Sequence, residues 1–553
     1  ELAHRLPSQT LVEVGHRELA DRRVYRGVVV QGPFYEPNGL RADAAPLVIM
    51  TAKGKPFMPD YHGRVWIEIL GEIAGETLVP PRYRPQPNSP VFVLGEEETA
   101  AALKIDGDVT LGVAIGHDSM EVSFPSTRKS VLPRHTAILG TTGGGKSTTV
   151  ANQIKEQQEA GVATILIDTE GEYSHLGEPT DDERMIRALR LRGKEPEGVK
   201  NTFIYHLVGR DTTNPGHPNR RAFTLPFDSL PAEMVMEILE MSEPQRERYW
   251  KAYEIGRVLM MRQEFSPENH ADRENLIQLD ETERGFPHLT LEVMYDIVQA
   301  CKLKIQDELR KPDGEPNFYM RSRVLYQNRQ VFLSLIEQTQ IPSHYLSWGK
   351  VQGYLGRLLR LRIFDNADAQ VLDYDALTTP GRVSIVDLSD TDSPQINNLA
   401  IAELLRGVLE QQNRHYHAAR KTGAEQRRVV VIVEEAHEFL SEARVRQMPA
   451  LFEQVARIAK RGRKRWLGLT FVTQLPQHLP DDVLGLVNNY ILHKITDAAV
   501  ISRLKKSAGG IDEALWQRLP GLTEGQAIVK MESMTRPLLV AMYPAPCKLL
   551  MVD

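Results

Sequence analysis

The sequence predicts an α/β protein: a mostly parallel sheet covered by helices, with a small β-barrel ahead of it and a helical segment inserted within it. Three observations lead there. From Thr136 onward, short apolar runs alternate with segments of helical period, the pattern of strands buried on both faces. Between Leu11 and Phe124 the runs are shorter, β-branched and separated by Gly, Pro, Asp and Asn, as in small barrels or sandwiches. Between about Asp181 and Ala376 the chain is charged and mostly of helical period.

In chain order, the amino-terminal strands are expected at Arg23 to Val30, Val65 to Ile69, Pro90 to Leu94 and Val109 to Ile115, with an extended connector over Pro80 to Pro87. Thr136 to Leu139 is an apolar strand running into a glycine-rich loop, Ser147 to Glu159 a helix, and Val162 to Ile167 the next strand. Glu233 to Glu240 and Val324 to Glu337 are helices of the inserted segment. Alternation resumes with Arg382 to Asp387 (strand), Asn397 to Gln412 (helix), Arg428 to Val433 (strand), Pro449 to Lys460 (helix) and Leu467 to Thr473 (strand). The domains expected are therefore 1–130 (barrel-like), 131–180 and 379–553 (two parts of the core, the second with a carboxy-terminal extension), and 181–378 (helical insertion).

Bulk properties bound the function. A chain of 553 residues is too long for one core. The net charge of -6 does not point to a nucleic-acid binder, although a local basic channel is compatible with it. Two cysteines, Cys301 and Cys547, in unrelated contexts give neither a disulfide framework nor a zinc spacing, so a reducing cytoplasm is the expected compartment. No apolar run approaches the roughly 18 residues needed to span a bilayer, so no membrane partner is expected. The chain opens on Glu1 instead of methionine, so the native start is expected upstream.

The strongest motif is Gly140-Thr141-Thr142-Gly143-Gly144-Gly145-Lys146-Ser147, which satisfies G-x-x-x-x-G-K-[ST] in full. Its glycines let successive N–H groups wrap around phosphates, and the helix that follows adds its positive end. Residues Gly140 to Thr148 are thus expected to cradle ATP. Lys146 would reach the β- and γ-phosphates and Ser147 would ligate Mg²⁺. A glycine-rich turn that merely ends in Lys-Ser is the alternative, and the strand before and helix after argue against it.

A P-loop needs an acid on a neighbouring strand, and Val429 to Val433 followed by Glu434-Glu435 supplies two. Successive strand residues face opposite ways, so the pair should divide the work. Glu434 suits the Mg²⁺ shell, although Asp is more usual there; Glu435 suits the attacking water as general base. Gln474, at the tip of the Leu467 to Thr473 strand, could sense the γ-phosphate. The set fits a RecA-like P-loop core. The run Arg457 to Arg465 holds six basic residues in nine. It reads equally as a solvated helix end or as an arginine finger with a nucleic-acid path.

Together these motifs resemble the HerA family, the branch of P-loop motors that also contains FtsK-type DNA pumps. The resemblance rests on Arg134 to Ser147, Asp168-Thr169-Glu170-Gly171-Glu172-Tyr173, Val433 to His437, Gly462-Arg463-Lys464 and Thr473-Gln474. It extends to Val383 to Ser389 and Leu522 to Ala527, and covers the core well but not the insertion. It implies a homohexameric ring around double-stranded DNA, with ATP between subunits and Arg463 as a trans-acting finger. Arg134 would be a second arginine acting within its own subunit. Asp168 and Glu172 fall in a family motif for which structural capping is an equal reading. The implied partner is a nuclease, in DNA-end processing or antiviral defence, or a different effector such as a sirtuin-like enzyme. The other reading is an ATP-dependent platform that scaffolds and regulates such an effector. A conjugation coupling ATPase would usually need a membrane anchor, and an ABC-type ATPase would need an LSGGQ-like signature upstream of Glu434.

Overall fold

Seven parallel strands form the sheet that the apolar runs anticipate. In the computed structural model, which describes residues 9–16, 23–36, 62–75, 77–86, 89–117, 119–277, 284–391 and 393–550, the chain divides into two units. One comprises residues 1–125, 143–145 and 490–543; the other comprises 126–142, 146–489 and 544–553.

The larger unit holds the parallel sheet. Its strand order is Arg220–Phe223, Thr202–Leu207, Val383–Asp387, Ala163–Asp168, Val429–Val433, Leu467–Thr473, Thr136–Leu139, and each neighbouring pair is parallel. The last five of these are buried at every residue. That is why they read as unbroken apolar runs: a sheet covered on both faces has no wet side on which to place polar residues.

The segment 181–378 is not wholly helical. Thr202–Leu207 and Arg220–Phe223 lie within it and extend the parallel sheet. The helix Glu183–Arg190 precedes them, and most of the helices follow, among them Glu243–Met260, Leu291–Ile305 and Tyr345–Leu361. The Val324 to Glu337 helix is broken at Asn328 into Arg323–Gln327 and Arg329–Gln338. Pro394–Thr422 is a 29-residue helix, opened by a proline in its first turn and closed by Gly423 at φ +73°.

The smaller unit contains two sets of antiparallel strands. In one the order is Thr77–Val79, His62–Ala74, Val24–Glu36, Leu11–Gly15, Val91–Val93. Val12, Val14, Tyr25 and Val29 form its core, with Val65, Ile67 and Ile69 packed against them. Residues 37–61, inside the expected barrel, lie outside the described residues. In the other set, Val109–Ala114 and Glu121–Phe124 pair with carboxy-terminal strands: Leu538–Met542 joins Val109–Ala114, and Gln526–Lys530 continues to Asn489–Leu492. The two chain ends thus share one sheet. A Cβ at Gly112 would come 2.1 Å from the Ala541 carbonyl oxygen, so this crossing requires glycine. Gln9 ties the ends further, its Oε1 accepting from the Leu539 amide at 2.6 Å and its Nε2 donating to the Ile115 carbonyl at 3.3 Å.

Candidate active site

Four adjacent strands of the parallel sheet end at the same edge. Ala163–Asp168 ends at Asp168 itself, Val429–Val433 runs into Glu434-Glu435, Leu467–Thr473 into Gln474, and Thr136–Leu139 into the glycine loop. Carboxyl ends of parallel strands are where such sheets bind ligands. The helix Lys146–Glu159 follows the loop, so the loop's polar groups meet that helix's amino end.

Gly143 and Gly145 take φ of +74° and +96°, which glycine adopts at no steric cost. In the smaller unit, a Cβ at Gly145 would lie 3.2 Å from the Gly525 amide nitrogen, so the Leu522 to Ala527 segment is backed against this glycine. Thr142 Oγ1 donates to Gln474 Oε1 at 2.5 Å, and Lys146 Nζ donates to the Thr141 carbonyl at 3.2 Å. The predicted sensor glutamine and the loop therefore touch directly.

The two glutamates part company in the turn that follows the Val429–Val433 strand. Glu434 is 8 % exposed and accepts a hydrogen bond from the Tyr173 hydroxyl. Glu435 leaves the strand at φ +42° and brings Oε2 to 3.0 Å from His437 Nδ1, yet this buried oxygen has no hydrogen bond of good geometry. An unsatisfied buried carboxylate oxygen is suited to holding a water.

Asp168 explains the motif that follows it. Fully buried, it accepts amide hydrogens from Glu170 (3.2 Å) and Gly171 (2.8 Å) on Oδ1 and from Tyr173 (3.0 Å) on Oδ2. This is the capping role, and it shapes the turn that delivers Glu172 and Tyr173 to the loop. Both side chains hydrogen-bond to the Ser147 hydroxyl. Tyr173 and His437 belong to the motifs that carry the resemblance, but the sequence assigned neither a role. An aspartate at a strand end with glycine three residues on was the one available signal for the turn.

Charge at the site is unbalanced. Glu172, Glu434 and Glu435 surround a single ammonium, that of Lys146. Burial draws Lys146 below its ordinary value against the pull of the three carboxylates. Burial pushes Glu434 up to about 8, opposed by the Tyr173 hydroxyl and aided by Asp168, Glu172 and Glu435. Asp168 rises to about 7, also from burial. Such a cluster suits a divalent cation, which would relieve the repulsion. Ser147, Glu434 and Glu172 supply hard oxygen donors of the kind Mg²⁺ takes, and the open, glycine-lined loop suits a polyphosphate. Among the described residues no three His, Cys, Asp or Glu side chains form a metal cage by themselves, and a cation shared with substrate phosphates needs none.

The predicted arginines do not join this cluster. Arg134 and Arg463 sit at the amino ends of the Thr136–Leu139 and Leu467–Thr473 strands, the edge opposite the glycine loop. Their two short helical turns pack against each other. A seven-residue strand separates Arg463 from Gln474, roughly 20 Å at about 3.3 Å per residue. Arg465 is engaged elsewhere: its Nε donates to Asn413 Oδ1 at 2.8 Å and its guanidinium lies 4.6 Å from the Tyr416 ring centroid.

Comparison with known proteins matches residues 109–408 to the family "Helicase HerA, central domain" and residues 416–508 to "Helicase HerA-like C-terminal". The chain belongs to the HerA family. It is a P-loop ATPase of that family. The DNA double-strand break repair helicase HerA of Sulfolobus acidocaldarius is 25% identical over 466 residues, covering 84% of this chain and 74% of that protein. The protein of the same name from Pyrococcus furiosus is 21% identical over 509 residues, covering 86% of this chain and 77% of that protein. Among solved structures, VirB4 of Thermoanaerobacter pseudethanolicus aligns with a TM-score of 0.46 and 14% identity, covering 80% of this chain and 97% of that one. Among the described residues no helix is long and apolar enough to cross a membrane.

Proposed function

We propose that this HerA-family chain is the subunit of a homohexameric ring that translocates double-stranded DNA by hydrolysing ATP at sites shared between neighbours. The observation that carries the reading is the position of Arg463. It lies at the far end of a seven-residue strand from its own chain's glycine loop, too far to touch a γ-phosphate there. An arginine finger that cannot serve its own site can serve an adjacent subunit's. Arg134 shares this edge, so its role moves from its own subunit's site to the neighbour's.

At each site the backbone amides of Gly140 to Thr148 would hold the phosphates and Lys146 would bridge the β- and γ-groups. Ser147 and Glu434 would hold Mg²⁺. When bound, that ion supplies charge neutralisation at the β- and γ-oxygens. Glu435 would take the proton of the attacking water, and Gln474, released from Thr142, would report the γ-phosphate. The DNA assignment follows the relatives' description as double-strand break repair helicases. The implied partner is a nuclease or another effector protein, in DNA-end processing or antiviral defence.

A net charge of -6 favours an outer surface that repels DNA and a channel gripping it through few cations, so binding should be sequence-independent and salt-sensitive. The same charge favours the second reading, a platform that scaffolds an effector. The test is ATP turnover, with and without the native partner, across a salt series using linear duplex, circular duplex and single strands. Duplex should raise turnover at low salt, and the stimulation should fade as salt rises. No response to any nucleic acid would replace the motor with the platform.

A further inference from the structure

His437 stands between the two halves of the catalytic edge. Its Nδ1 lies 3.0 Å from Glu435 Oε2 and 3.0 Å from Thr473 Oγ1. Thr473 is the last residue of the strand that presents Gln474. Its hydroxyl oxygen is fixed from the other side by the Leu475 amide, which donates to it at 3.0 Å. Gln474 in turn accepts from Thr142 in the glycine loop. One ring nitrogen therefore touches both the glutamate expected to act as base and the strand tip expected to sense phosphate. The imidazole is steadied behind by His478, edge-on with centroids 5.9 Å apart.

The Glu435 backbone shows why such a hold is needed. At φ +42° it occupies the left-handed region, which L-residues other than Asn and Asp rarely adopt and which persists only where the surroundings enforce it. Its side chain would have several rotamers open to it in a half-exposed loop, yet it is folded in against His437, 15% exposed. Nδ1 hydrogen-bonds with Thr473 Oγ1 and lies at 3.0 Å from Glu435 Oε2 without hydrogen-bond geometry, so the ring nitrogen sits between two oxygens.

We propose that His437 is a positioning residue that ties the Glu435 carboxylate to the Thr473-Gln474 strand tip, so that movement of Gln474 toward a γ-phosphate is transmitted to the base. The proposal rests on Glu435 being the base. It assigns the work to Nδ1 and none to Nε2, and this makes it testable by shape. Asparagine hangs its amide from Cγ, as histidine hangs Nδ1; glutamine sets its amide one bond further out, near Nε2.

The experiment measures steady-state ATP turnover and fluorescent-ATP affinity of the full chain carrying His437→Ala, His437→Asn, His437→Gln or Glu435→Gln. His437→Ala should lower kcat about 10- to 100-fold, the lower part of the range for losing an oriented base, with nucleotide affinity within about two-fold. His437→Asn should return turnover to within about three-fold of wild type, and His437→Gln should not. Should the alanine variant melt early, the contrast between Asn and Gln decides alone. Wild-type turnover in His437→Ala, or equal turnover in Asn and Gln, overturns the proposal while leaving the base assignment standing. Wild-type turnover in Glu435→Gln overturns the base assignment itself and the proposal with it.

Discussion

Around the glycine loop three carboxylates face one ammonium, and each has a different neighbour that sets its task. Glu434 is held by Tyr173, Glu172 by Ser147, and Glu435 by His437. Strand alternation gave the expectation that Glu434 and Glu435 face different ways; what separates them is the turn after Val433, where Glu435 takes φ +42°. The part played by Tyr173 was not legible in the sequence, because its contact with Glu434 joins residues 261 positions apart through a turn fixed by a buried aspartate. Three outcomes are expected here. Lys146→Ala should weaken ATP binding by at least about ten-fold in equilibrium titration, since the loop loses its point charge. Glu435→Gln should bind ATP normally yet turn over about 10²- to 10⁴-fold more slowly, because the amide is nearly isosteric but a poor base. Tyr173→Phe removes only the hydroxyl, which touches both Glu434 and Ser147. It should raise the Mg²⁺ concentration needed for nucleotide binding by about ten-fold and leave binding without Mg²⁺ unchanged. Equal affinities for wild type and Tyr173→Phe at every Mg²⁺ concentration would separate Tyr173 from the metal.

The elements of the core were readable where burial is complete. Thr136–Leu139 and Leu467–Thr473 coincide with their apolar runs, and Val429–Val433 and Val383–Asp387 differ from theirs by one residue. Thr202–Leu207 carries the same kind of signal, four strand-favouring residues in a row ahead of a glycine turn, but the charged helices around it drew it into the insertion. Arg220–Phe223 carries no such signal, since its three exposed residues mark an edge strand with a wet face. One joint between elements has a pH signature. His135, 2% exposed, accepts the Leu469 amide hydrogen on Nδ1 at 3.0 Å and points Nε2 at the Ala459 carbonyl, 3.1 Å away. It thus links the Pro449–Arg461 helix to the strand after it. Burial lowers its pKa to about 4, with Arg134 adding to the fall and the Ala459 carbonyl opposing it. The folded state then resists a proton that the unfolded chain takes up near 6.5, so stability declines as pH drops from 6.5 toward 4. Compared with His135→Gln, which keeps a donor toward Ala459 and does not titrate, the wild type should lose about 2 kcal/mol between pH 7 and pH 5 in denaturant unfolding. A constant difference across that range would mean that His135 titrates alike in the folded and unfolded chain, contrary to a burial-lowered value.

For the whole chain, the sequence placed the boundary after residue 130 and kept residues 379–553 with the core. Instead, strands at 109–124 and 489–542 share a sheet, a pairing between chain ends that no local pattern announces. The feature with most consequence is the opposition of edges in the parallel sheet: glycine loop, Glu434, Glu435 and Gln474 at one, Arg134 and Arg463 at the other. On the proposed reading a subunit so built carries an incomplete site at each edge, and two subunits in sequence would complete one. Head-to-tail contacts of this kind close into rings when the rotation permits. Arg463→Ala and Glu435→Gln proteins should each be inactive, yet a mixture should recover turnover. In an equal mixture about a quarter of interfaces join an intact finger to an intact base, positions being filled at random. Turnover approaching about a quarter of wild type after subunit exchange is the result this account predicts; no recovery, with exchange demonstrated by fluorescence transfer between labelled subunits, would contradict it.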